Sequence, residues 1–312
     1  MTGSTHSTGA FAKLLFEPGA SPHTFDASSE LYEFLAENLG KEGRIVGGNE
    51  VSGSRSHRSE RTRKAASYFR GSIVKNISPA ELVTLLPKML GAAASGTTFA
   101  LDEDVPYFGV MIDRDYGVFK YTDCKIDRWI LKGRAPELGE DGEPDLLTLQ
   151  LDIIASDEDP AASWPGTPPS LGTSAAYAPY VFQDSCSGIT LNGSTRDAME
   201  FVIVGDNKIK ALYTNCLTPH SLVPRDRIIM ARFRVPWNST NADLYEQSAA
   251  GAAASVVLTN STVSTTFTFG RLQVPPKSPF VRGKDTVDLV LEGQATMVST
   301  TRELVVTNDS TP

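Results

Sequence analysis

The side chains best equipped for chemistry are four histidines, His6, His23, His57 and His220, and three cysteines, Cys124, Cys186 and Cys216. The histidines are scattered, and no H-E-x-x-H pair places two of them on one helical face. Three cysteines cannot form a closed set of disulfides, and their spacing fits no zinc pattern, so buried thiols in a reducing compartment are the expectation. Carboxylates cluster at Asp102, Glu103 and Asp104 and again at Asp157, Glu158 and Asp159. Neither cluster has the spacing of a calcium loop, and both read as solvated turns. No G-x-S-x-G elbow and no phosphate-cradling G-x-x-x-x-G-K occurs. The expectation is a non-enzymatic protein with no catalytic residue, metal or cofactor.

One concentrated run of charge remains, SGSRSHRSERTRK at residues 52–64. It carries Arg55, Arg58, Arg61, Arg63 and Lys64. A single-strand nucleic-acid surface would interleave aromatic rings on which bases stack, and this run has none. Its chain is acidic, with 29 Lys and Arg against 37 Asp and Glu and a net charge of −8. A loop that docks on an acidic neighbouring subunit is therefore placed ahead of DNA contact. Five N-x-S/T sequons, at Asn76, Asn192, Asn238, Asn260 and Asn308, read as Ser/Thr/Asn-rich turns, because residues 1–10 hold no apolar signal core. No apolar run nears the roughly 20 residues that cross a bilayer as a helix.

The elements that must position these residues are mostly strands. Ser78, Pro79 and Glu81 form a capping box ahead of Leu82, Leu85, Leu86 and Met89, which fall on one helical face. Pro87 keeps that helix short or kinked. Thr240 and Asp243 offer a similar cap ahead of Leu244 and Tyr245. Leu31, Phe34, Leu35 and Leu39 recur at helical spacing and predict a further helix between Ser28 and Gly40. Alternation marks strands at 107–113, 147–153 and 286–292, and a change of phase near Thr122 and Asp123 predicts a bulge in the strand at 118–132.

Some of this is said twice. GAAAS at 91–95 recurs at 251–255, and the same offset of 160 carries Leu131, Gly133 and Ala135 onto Leu291, Gly293 and Ala295. A duplicated unit follows, since repeats on one offset precede any fold assignment. The predicted organisation is an N-terminal arm at 1–25, a first unit at 26–160, a Pro/Gly/Ser-rich linker at 161–179 and a second unit at 180–312. Each unit is mainly β, a sandwich or barrel with a flanking short α-helix.

The order of features, with GSRSHRSERTRKAASYFRGSIVKNISPAELVTLLPKMLG at 53–91, NADLYEQSAAGAAASVVLTN and FTFGRLQVPPKSPFVRGKDTVDLVLEGQA, resembles the tail tube (major tail) protein of long-tailed bacteriophages. The resemblance implies a virion structural protein that stacks as rings into a conduit for genome delivery. It looks like the two-domain kind, which forms trimeric, pseudo-hexameric rings. Implied partners are further copies of itself, a tape measure protein in the lumen, terminator and distal-tail proteins, and DNA in transit, with no membrane. Gln150, Asp152, Asp288 and Glu292, on polar faces of alternating strands, are candidates for the lumen. A different tail or injection-machine component on the same fold is the alternative, and a carbohydrate-binding β-sandwich ranks after it.

Overall fold

The computed structural model describes residues 12–19, 21–26, 29–47, 61–91, 94–135, 146–166, 178–185, 188–245, 251–260, 263–279 and 287–309. In chain order come β1 (Lys13–Glu17), β2 (Glu30–Tyr32), β3 (Ala36–Glu37), β4 (Gly40–Gly47), β5 (Thr62–Asn76), α1 (Pro79–Leu90), β6 (Thr98–Ala100), β7 (Phe108–Asp113), β8 (Val118–Arg134), β9 (Thr148–Ala155) and β10 (Asp157–Asp159). They are followed by β11 (Ile189–Leu191), β12 (Ser194–Thr195), β13 (Glu200–Asp206), β14 (Lys210–Leu212), β15 (Ser221–Val223), β16 (Ile228–Pro236), β17 (Ala252–Asn260), β18 (Val263–Gln273), β19 (Asp288–Thr296) and β20 (Leu304–Asp309). The fold is mainly β, and every strand pair is antiparallel.

The central sheet runs β4–β5–β9–β8–β13–β16–β19. Its strands bury alternate residues, among them Leu149, Leu151, Trp129, Leu131, Phe201, Ile203, Phe233 and Leu289. One face is thus core and the other is free, as period-2 alternation dictates. Two smaller sheets fold over the core, β2–β1–β7–β8–β10 and β6–β20–β18–β17–β11–β12. β8 belongs to both the central sheet and a small one. It bends where Asp123 takes φ 48° and the register against β7 slips between Phe108 and Val110, the bulge predicted at that phase change.

α1 forms as its cap predicts. The Glu81 carboxylate accepts the Ser78 N–H, and Leu82, Leu85, Leu86 and Met89 are all buried. Pro87 removes the bond to the Val83 carbonyl, and Val83 stands on the exposed side. Gly91 ends the helix at φ 99°, donating its N–H to Pro87 O.

Two helical expectations fail. Residues 30–32 and 36–37 are the strands β2 and β3, which satisfy the edges of β1 and β5. Leu35, which a helix would have buried, is 59% exposed, while Tyr32 between the periodic positions is buried. In the second region only a 3-10 turn, Ala242–Leu244, is found among the described residues. Asp243 there bonds Arg196 instead of capping a helix, and the chain from Ala252 is drawn into β17 by pairing with β18.

The chain runs twice through one pairing schedule. β1 pairs with β7, β4 with β5, β5 with β9, β7 with β8, and β8 with both β9 and β10. In the same order β11 pairs with β17, β13 with β16, β16 with β19, β17 with β18, and β18 with both β19 and β20. Strand ends coincide too: Asn76 faces Thr148, and Pro236 faces Asp288. The letter repeat is a poorer guide than the schedule. Its offset matches β5 to β16 but lays Leu131 of β8 on Leu291 of β19, strands with different places in the order. Gly91 ends α1, whereas Gly251 precedes β17.

The two sets are not separate bodies. β8 pairs with β13 from Arg128 opposite Asp206 to Arg134 opposite Glu200, and β6 pairs with β20. One apolar core runs through both. The expected N-terminal arm is partly core as well, since Leu14, Leu15 and Phe16 of β1 are buried; residues 1–11 lie outside the described residues. Tyr180, at the far side of the expected linker, is also buried. It donates its N–H to Ile77 O, and its hydroxyl lies 2.7 Å from Thr265 Oγ1.

Candidate functional site

Alternation puts Gln150 and Asp152 of β9 and Asp288 and Glu292 of β19 on the same, non-core face of the central sheet. β9 and β19 hold corresponding places in the schedule with β8, β13 and β16 between them, so the four residues form two patches. Between them the face carries cations that the sequence reading did not single out: Arg128, Lys132 and Arg134 from β8, and Arg232 and Arg234 from β16. Register sets these opposite acids. Arg128 stands between Asp152 and Asp206, Arg232 opposite Glu292, and Glu200 between Arg134 and Arg234. Arg234 also pairs with Asp288 at 2.6 Å, and Gln150 donates to Asp152 at 2.8 Å. Such cross-strand pairs each contribute roughly 0.2–1 kcal/mol. The face is a mixed-sign quilt with Ile130, Val202, Val204 and Met230 half-buried among the charges. Alternation in β8 and β16 was the signal for it.

The second feature is a pair of insertions at the corresponding hairpins. β4 and β5 extend as a two-stranded ribbon. At the root, Arg114 grips both carboxylate oxygens of Glu37 at 2.8 Å, and Tyr121 Oη donates to Leu39 O at 2.9 Å. Residues 41–47 are all exposed, with Ile45 at 72% and Val46 at 41%. Arg63 and Lys64 lie on the exposed start of β5, and Arg61 immediately precedes it. Arg55 and Arg58 lie outside the described residues.

Between β13 and β16 the chain instead inserts the β14–β15 hairpin, which folds back onto the first strand set. Ser67 N–H donates to Leu217 O at 2.8 Å, and Tyr213 Oη to Ser67 O at 2.8 Å. The Tyr68 and Tyr213 rings meet edge-on, 5.5 Å apart. Ile209 and Leu222 close a small core with Val105, against which Tyr107 and Ile154 pack. At its base, buried Asn207 donates through Nδ2 to Met89 O and Ile126 O at 3.2 and 3.0 Å. Beside it Asp127 accepts the Ile209 N–H at 2.6 Å, while burial raises its pKa above the usual carboxylate range.

Cys124 is buried in the core, which pushes its thiol well above its ordinary range, and Cys216 is exposed. Among the described residues no group of three His, Cys, Asp or Glu could hold a metal, and no helix is long and apolar enough to cross a membrane. No curated protein matches the sequence. A family model described as phage tail tube protein does match it, over residues 8–295. With most of the chain covered and a mainly β architecture in agreement, the chain belongs to the phage tail tube protein family.

Proposed function

We propose that copies of this chain close into rings that stack as the tail tube of a virion, the conduit through which the genome leaves. The observation that carries this beyond family membership is the central sheet. It already joins two similarly paired strand sets edge to edge through β8 and β13. β4 stands at one end, and at the other β19 is followed by β18, which holds the place that β8 holds in the first set. Identical contacts that repeat head to tail close a ring when the rotation allows. The two sets, at about residues 26–160 and 180–312, are read as products of an internal duplication, so three chains make a ring of six wedges. Sheet edges that would otherwise invite uncontrolled association are thereby covered.

The non-core face then lines the bore, with Gln150, Asp152, Asp288 and Glu292 among its residues. The interleaved arginines make that bore mixed in sign rather than strongly acidic. Balanced charge limits the salt-dependent grip that unpaired Lys and Arg exert on a polyanion. A structural and not a catalytic role follows, with a tape measure protein inside during assembly and terminator and distal-tail proteins at the ends. Electron microscopy of the purified protein tests the reading. Stacked rings of three chains are expected, and six chains per ring would overturn the duplication. Replacing Arg55, Arg58, Arg61 and Arg63 together by Glu is expected to block polymerisation with the circular dichroism spectrum unchanged. Normal tubes from that variant would remove the basic segment from the interface.

A further inference from the structure

We infer that the β4–β5 ribbon of one copy docks on the second strand set of its ring neighbour, on the surface around Arg227, Ile228 and Met297. This rests on the ring reading above, and its template is inside the chain. The insertion of the second set already lies on the first set, across the junction where β13 meets β8. If a neighbour's first set follows this chain's second set as the second follows the first, the neighbour's ribbon lies across the new junction likewise.

The pairings fix which residues correspond. Matching the ends of β5 and β16 puts Ser67 on Arg227 and Tyr68 on Ile228. Gly40 faces Arg70 and Val204 faces Met230, so β4 lies on β13 with Gly40 on Val204. That numbering puts Glu42 on Asp206 at the end of β13; beyond it the β4–β5 register slips, and each chain continues into its insertion, with Ile45 in the ribbon and Ile209 at the base of the hairpin. Ile209 is 7% exposed because the first set covers it, whereas Ile45 is 72% exposed. The start of an insertion is therefore covered where a neighbouring set is present and bare where none is.

The receiving surface has matching features. Ser67 and Tyr68 receive the insertion within the chain; beside their counterparts Arg227 and Ile228 lies an open cleft of about 350 Å³, lined in part by Glu103, Arg302 and Glu303. Arg227 forms an ion pair with Glu303 at 4.0 Å and donates through Nη1 to Asp102 O, while its Nε is buried without a hydrogen-bond partner. Met297 stands 54% exposed just beyond β19. Glu103 and Asp104 there already pair with Arg302 and Lys125, and Arg225 lines the cleft beside Asp226. Asp102 and Asp226 are exposed, and the ribbon brings Lys41, Arg44, Arg63 and Lys64. A second copy thus supplies apolar Ile45 and Val46 for Met297 and Ile228, and cations for Asp102 and Asp226. Interfaces of this kind place apolar anchors inside a charged border.

The test is photo-cross-linking in assembled tubes of the full chain. With Ile45→p-benzoylphenylalanine, irradiation is expected to join two copies, the captured peptide holding residues 225–230 or 296–303. The reciprocal Met297→p-benzoylphenylalanine is expected to capture residues 40–47 or 62–70. A variant that folds but does not assemble is replaced by Val46→p-benzoylphenylalanine, one position along. Tubes that form normally but cross-link only to other peptides would overturn the docking and leave the ring reading intact. A wild-type chain that forms no rings at all would remove both.

Discussion

The two strand sets share a pairing schedule and differ in what covers it. In the first set β5 carries Lys75, whose side chain is 2% exposed and pairs with Glu81 of α1 at 2.6 Å, with the Tyr32 ring 3.9 Å from its Nζ. The corresponding residue of β16 is Val235, fully buried, in a region where a 3-10 turn takes the place of the helix. A buried lysine is costly unless it is paired and bonded, and burial does lower its pKa despite Glu81. The ion pair belongs to the helix and not to the sheet. Backbone pairing and alternation persist between the sets while the covering chemistry changes.

The largest expected effect comes from breaking that pair on one side. Glu81→Ala leaves Lys75 buried alone and removes half of the capping box, and is expected to cost about 3–5 kcal/mol in urea unfolding. Lys75→Val with Glu81→Leu, which imitates the second set, is expected to recover most of the loss. A double variant as unstable as the single one would mean that the two sets are not interchangeable at this position.

A smaller effect is expected where the sets meet. Asn207→Ala withdraws the donors from Met89 O and Ile126 O and is expected to cost roughly 1–3 kcal/mol. Hydrogen exchange should quicken in the β14–β15 insertion and at the β8–β13 junction, with α1 protected as before. Equal loss of protection everywhere would show that the insertion is not separately held.

The smallest is a pH effect confined to the first set. Burial holds the His23 imidazole below its ordinary 6.5, although Asp123 at 3.2 Å opposes the shift. The unfolded chain therefore takes up that proton at a higher pH than the folded one. His23 contributes stability that is present above 6.5 and is lost as pH falls toward the depressed folded value. The melting temperature of wild type should drop more on acidification through this window than that of His23→Gln. Parallel pH profiles would remove His23 from the account.

Much of this architecture was legible in the residues. Leu147, Leu149 and Leu151 announce β9, the Ser78–Glu81 box announces α1, and the phase change at Asp123 announces the bend of β8. These signals are local, and the structure keeps them. The stretch at Leu31–Leu39 misled because four apolar residues at helical spacing say nothing of the strand edges at β1 and β5 that await partners. Tertiary pairing overrode periodicity there. Asp243 misled in the same way, since Arg196, 47 residues earlier, claims it. The mixed charge of the free face stayed hidden because β8 and β16 contribute its cations while β9 and β19 were read alone. Register, which sequence does not print, decides that Arg128 meets Asp152.

The β8–β13 seam has a consequence for how the chain tolerates cutting. Because β6 also pairs with β20, and Asn308 Nδ2 donates to Pro79 O, the C-terminal strand of the second set is woven into the first. Covalent continuity between the two sets is then dispensable once folding is complete. A single protease nick between residues 166 and 178 would leave two fragments that behave as one particle. Neither fragment made alone would find partners for its exposed seam. The two would form an obligate pair.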